Sequence, residues 1–163
     1  MSIHQRFALL ISTFFGCGFL KPAPGTIGSL AALPFVWLLY TFGGFEVFIL
    51  ITIILFIVGI WAAGISSHSF NSDDPSEVVI DEVVGQMLPL LAIPIYETLL
   101  PLPNIYYLVS AFLLFRLFDI WKPYPISYVD NNVKGASGIM FDDVFAGFYS
   151  IIIITLILFF LGG

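Results

Sequence analysis

Two stretches free of any charged residue, 47–65 and 144–161, constrain this chain more than anything else in it. At 19 and 18 residues, each is long enough to cross the hydrocarbon core of a bilayer as a helix. The 163 residues are 60% hydrophobic with a mean hydropathy of +1.05, more apolar surface than a water-soluble domain of this size can bury. The expected class is therefore all-α, a polytopic helical membrane protein, with residues 1–163 forming a single domain. Its lone cysteine, Cys17, excludes an internal disulfide.

Other apolar segments complete the layout. Segment 27–42 is apolar apart from Ser29 and Thr41, and Gly43-Gly44 makes a tight connection into 47–65. Segment 85–100 contains Pro89 and Pro94, which predict a kink. A turn around Pro101 and Pro103 leads into 105–118, and a polar loop, 119–143, precedes the last span. The count is four to five membrane-embedded helices, since 85–118 can form either two crossings or a re-entrant hairpin. Segment 7–15 reads as an interfacial helix rather than a leader, because Phe14-Phe15-Gly16-Cys17 lacks the small residues of a cleavage site.

Either layout puts the N-terminal segment and the polar loops 66–82 and 119–143 on one face. That face carries all five Lys and Arg and nine of the eleven carboxylates, leaving only Glu46 and Glu97 opposite. The positive-inside rule places it, with the N-terminus, in the cytoplasm. Charge near hydrocarbon is costly, so a chain only 10% charged needs a reason to gather it there. A protein that binds phosphate is usually basic, yet this one has a formal charge of −6. A divalent cation among the carboxylates would invert the local field and resolve the conflict. No nucleic-acid partner fits so acidic a chain.

The carboxylates fall into groups. Asp74-Pro75-Ser76-Glu77 has the form of a helix start, with Asp74 as N-cap, Pro75 as first helical residue and Glu77 closing a capping box. On that reading Asp81 and Glu82 lie in the helix interior among valines, and Glu77 and Asp81 repel across one turn. A bound metal removes the conflict, and Gly85 leaves room for a ligand or neighbouring helix. Asp142 and Asp143 are expected to open the last span, where a capping role competes with a functional one. Gly147 clears space one turn on. Asp119 ends the fourth segment, where the helix dipole disfavours it, and an ion pair with Arg116 or Lys122 is expected.

The segment from Lys21 to Ser29 supplies a second constellation. Its prolines and glycines fix a loop running into a helix N-terminus, which offers backbone N–H groups to an anion, and Thr26, Ser29 and Lys21 add side-chain donors. His4 and His68 are too isolated in sequence to suggest a metal pair.

Together, Pro24-Gly25-Thr26-Ile27-Gly28-Ser29, Val79-Ile80-Asp81-Glu82-Val83-Val84-Gly85, and the paired segments 115–125 and 138–147 resemble the phosphatidylglycerophosphatase A family of bacterial membrane phosphatases. The resemblance runs from about residue 16 to 147. It implies removal of the terminal phosphate of phosphatidylglycerophosphate with Mg²⁺ in the bacterial inner membrane, on a phospholipid substrate held in the bilayer. The matching positions suggest Asp81, Glu82, Asp142 and Asp143 as metal ligands. Asp81, Asp119 and Asp143 are the candidate catalytic residues, with Lys21, Thr26, Arg116 and Lys122 holding substrate. Whether phosphoryl transfer is direct or passes through an aspartyl phosphate stays open, as does assembly into a homo-oligomer. The competing class is a small cation transporter or channel subunit, which would place acids along a path through the spans rather than at one surface.

Overall fold

The computed structural model describes residues 1–162, all helices and connections. Helix α1 (Ile3–Ser12) begins at a capping box in which the Ser2 hydroxyl accepts from the Gln5 N–H and the Gln5 side chain accepts from the Ser2 N–H. A 3₁₀ turn (Cys17–Phe19) leads to α2 (Pro24–Phe70), with Pro24 at the position where its missing N–H costs nothing. Next come α3 (Ile80–Leu91), α4 (Ile93–Leu99), α5 (Asn104–Trp121), α6 (Ile126–Asn132) and α7 (Ala136–Gly162). Among the described residues three helices, α2, α5 and α7, are long and apolar enough to cross a membrane.

Helix α2 is two arms rather than one rod. Gly44 breaks it at φ 76° and ψ −179°, a conformation that suits glycine and fits the expected connection at Gly43-Gly44. In an unbroken helix Gly28 and Ser66 would lie roughly 57 Å apart. Instead a Cβ on Gly28 would press on Val79, whose N–H donates to the Ser12 carbonyl, while the Ser12 and Ser66 hydroxyls meet at 2.7 Å. Both arms therefore return to the same end of the molecule, and Gly44 lies at the other.

The inner helix is α3. Nine of its twelve residues are buried, and at roughly 18 Å it is too short to cross alone. Pro94 and the bend at Ala92 separate it from α4, as the two prolines predicted. The principal core packs α3 side chains such as Ile80, Val83, Met87 and Leu90 against Ala32 and Phe48 of α2 and Met140 and Ile154 of α7. A second cluster joins Phe115 and Phe118 of α5 to Ile126 and Ala146. Leu50, Ile53 and Ile57 on α2 and Ile152, Phe159 and Phe160 on α7 face outward, which is tolerable only in lipid.

Two boundaries differ from expectation. Segment 74–79 is a turn, closed by Val78 N–H on the Pro75 carbonyl, and α3 starts only at Ile80. Docking of Val79 on Ser12 outweighs the local capping signal, so Glu77 stands outside the helix and does not stack on Asp81. Helix α7 begins at Ala136 rather than near Asp142, because the uncharged run 136–141 continues the helix backward to Gly135. Asp142 and Asp143 thus lie about two turns into the helix, beyond the reach of N-capping.

Helices α3 and α7 cross where both lack side chains. A Cβ on Gly147 would approach the Gly85 carbonyl to 2.7 Å, and one on Gly85 would approach the Asp143 Cβ to 2.9 Å. Gly147→Val should lower stability by about 1–3 kcal/mol. Gly64→Ala, whose new methyl meets only the Ala136 Cβ at 3.5 Å, should be neutral. Thermal unfolding of the two variants in detergent reads the difference.

Candidate functional site

A basin of about 580 Å³ opens at the end where both arms of α2 return. Its walls come from the start of α2, the turn at 73–76, the heads of α3 and α7, the end of α5 and the α6–α7 connection. The expected gathering of the polar segments on one face is therefore present. Among the described residues eight carboxylates and three cations line this basin, while Glu46 and Glu97 are exposed elsewhere.

Asp81, Glu82 and Asp143 form its floor. One carboxylate oxygen from each can be chosen so that all lie within 4.8 Å of one another. Asp81 is 8% exposed and Asp143 3%. Asp81 Oδ1, Glu82 Oε2 and Asp143 Oδ2 are sealed from solvent and have no hydrogen-bond partner. At the head of α3, outside the long spans, burial pushes both carboxyls up, Glu82 to about 7, and for Asp81 the neighbouring charge of Glu82 adds to the effect. First-turn acids on α3 gain from its dipole, but that gain is too small to offset three desolvated anions. The arrangement suits a hard divalent cation with oxygen ligands and open positions for water or phosphate.

Asp142 is occupied differently. Lys122 caps α5 with a left-handed backbone, φ 47°, which turns its side chain back into the basin. Its Nζ donates to Asp142 Oδ2 at 2.6 Å and to Asp130 Oδ1 at 2.5 Å. Burial alone would lower the Lys122 ammonium, but these two carboxylates outweigh it and leave the group above its ordinary value. Earlier on α5, Arg116 Nη1 pairs with Asp119 Oδ2 at 2.6 Å, and it lies 3.4 Å from the Ser29 hydroxyl. The expected partner of Asp119 is thus Arg116, not Lys122.

The Pro-Gly-Thr segment is part of the first turn of α2 rather than a loop before it. The Ile27 N–H already bonds to the Ala23 carbonyl, so the earlier N–H groups of Gly25 and Thr26 have no partner within the helix and lie at the basin wall. Gly25 lies directly against Glu82, since a Cβ there would meet Glu82 Oε1 and displace that carboxylate. Lys21 is exposed and does not line the basin. Sequence reasoning missed Asp130. It lies in a polar segment without a motif, and only its pairing with Lys122 across α6 distinguishes it.

Residues 10–158 match the family described as Phosphatidylglycerophosphatase A, and the chain belongs to that family. A Bacteroides thetaiotaomicron protein with the provisional name phosphatidylinositol-3-phosphatase is 41% identical over 157 residues, covering 90% of this chain and 91% of its own. Phosphatidylglycerophosphatase A of Escherichia coli is 35% identical over 86% of this chain and 77% of its own. The Haemophilus influenzae protein of the same name is 36% identical over 89% and 85%. No solved structure matches. The enzyme is accordingly a phosphatase, a phosphoric monoester hydrolase.

The two bonds of Lys122 should differ in strength. Asp142 is 9% exposed at its side chain and Asp130 38%, so water screens the second pair more. Double-mutant cycles with Lys122→Met, read by reversible unfolding in mixed micelles, should give a coupling of about 1–3 kcal/mol to Asp142→Asn. The coupling to Asp130→Asn should be below about 1 kcal/mol.

Proposed function

We propose that this protein hydrolyses the terminal phosphate monoester of phosphatidylglycerophosphate, giving phosphatidylglycerol and phosphate, with one Mg²⁺ held by Asp81, Glu82 and Asp143. The observation that carries the reading is the trio of buried, unpartnered carboxylate oxygens at the floor of a basin rimmed with cations. Family membership narrows the anion to a phosphate monoester, and the names of the E. coli and H. influenzae relatives favour this lipid. A bilayer substrate fits the outward apolar helices, which let acyl chains stay in lipid while the headgroup enters the basin. The basin would face the cytoplasm in a bacterial inner membrane, following the Lys and Arg on its side.

When bound, Mg²⁺ would neutralise charge on the phosphoryl oxygens and lower the pKa of a coordinated water. The protein's own groups do the rest. Arg116, held by Asp119, faces the phosphate as a fixed cation, and Asp119 keeps its planar fork from turning away. Lys122, steadied from both sides, adds positive potential beside the transferring group. The free N–H groups of Gly25 and Thr26 donate to phosphate oxygens, helped by the α2 dipole. Asp142 orients Lys122 and is assigned a positioning role in place of metal ligation. Lys21 is better placed for the membrane surface than for substrate.

A cation channel is disfavoured because the acids gather at one end and meet cations there, whereas an ion path needs acids in depth. In mixed micelles with Mg²⁺, the purified enzyme should release phosphate from phosphatidylglycerophosphate and not from phosphatidic acid, and EDTA should abolish release. Asp81→Asn and Asp143→Asn should each lower kcat roughly a hundredfold or more while remaining folded. Faster turnover of phosphatidylinositol 3-phosphate would move the substrate assignment to that lipid. Full activity in EDTA would remove the metal.

A further inference from the structure

Of the three cations lining the basin, two are already committed. Arg116 pairs with Asp119, and Lys122 is held by Asp130 and Asp142. Lys134 lines the same basin, is exposed, and has no carboxylate within ion-pair distance among the described residues. Its position is set by backbone on both sides. The Val133 N–H bonds to the Val129 carbonyl at 2.8 Å, and the Ile139 N–H to the Gly135 carbonyl at 3.2 Å. Gly135 turns the chain at φ 75°, and Gly138 packs so tightly on the Val133 carbonyl that a Cβ would collide with it. The connection between α6 and α7 is thus a braced turn that carries one uncommitted ammonium group at the rim.

Accepting the basin as the phosphatase site, we propose that Lys134 binds the internal phosphodiester of the lipid headgroup and selects substrates that carry one. The buried carboxylates on the floor, with their cation, suit the dianionic monoester. A headgroup that joins this monoester to the membrane through a glycerol or inositol places a second, singly charged phosphate nearer the mouth. The basin's acid excess would repel that phosphate, and Lys134 is the rim cation free to hold it. Phosphatidic acid has no second phosphate and gains nothing from this contact. Lys134 therefore acts in specificity, through binding, and leaves bond cleavage to the floor.

Binding separates this role from turnover. Short-chain phosphatidylglycerol carries the diester without the monoester, and inorganic phosphate mimics the monoester without the diester. Calorimetric titration of each into wild type and Lys134→Ala, with Mg²⁺, should show phosphatidylglycerol binding weakened roughly fivefold and phosphate binding unchanged. Lys134→Arg should restore the first. In steady state, KM for the diester-containing substrate should rise by the same factor with kcat unaltered. Equal weakening of both ligands, or unchanged phosphatidylglycerol binding, overturns the proposal. These titrations need no turnover, so failure to hydrolyse phosphatidylglycerophosphate would count against the proposed reaction and not against this contact.

Discussion

Three carboxylates within 4.8 Å of one another, in a place water barely reaches, are the constraint on which the rest of this structure depends. Each buried anion costs several kcal/mol unless opposite charge compensates it, and the fold supplies no side-chain partner for three of the oxygens. Two of the three basin cations are paired with other acids: Arg116 with Asp119, Lys122 with Asp130 and Asp142. Arg116 and Lys122 thus answer three of the basin's acids, while the buried trio on the floor has no ion-pair partner. An unpaired, acid-only group at the floor of a basin is an arrangement that would suit a divalent cation.

The architecture follows from bringing that group together inside a membrane protein. Asp81 and Glu82 come from one helix and Asp143 from another, so α3 and α7 must approach closely at the level of the acids. Gly85 and Gly147 permit the crossing, and a side chain at either position would push the carboxylates apart. Because α3 is short and almost wholly buried, it carries polar groups at its head without showing them to lipid. The long helices around it supply the apolar exterior, and the reversal at Gly44 returns both arms of α2 to the site.

Much of this was legible in the sequence, and the misses have physical causes. Uncharged length identified the spans, Gly43-Gly44 the reversal, and the charge distribution the functional face. The Asp74-Pro75-Ser76-Glu77 capping signal failed because a tertiary hydrogen bond, Val79 to Ser12, fixed the helix start later. Asp142 and Asp143 are an adjacent pair on paper, but successive residues on a helix point about 100° apart. One therefore faces Lys122 and the other joins the acid trio. Gly147 was read as clearing space, and what fills that space is the Gly85 backbone. Asp130 carried no local signal, since its role exists only through a partner eight residues away on another element.

The most direct test is metal binding by the resting protein, followed by electron paramagnetic resonance with Mn²⁺ as a stand-in for Mg²⁺. The account predicts one saturable site per chain in the absence of lipid substrate, displaced by Mg²⁺. It also predicts loss of that site in Asp143→Asn and its retention in Asp130→Asn. A wild-type protein that binds no Mn²⁺, or an Asp143→Asn variant that binds it unchanged, would contradict the claim that the buried carboxylates exist to hold a cation.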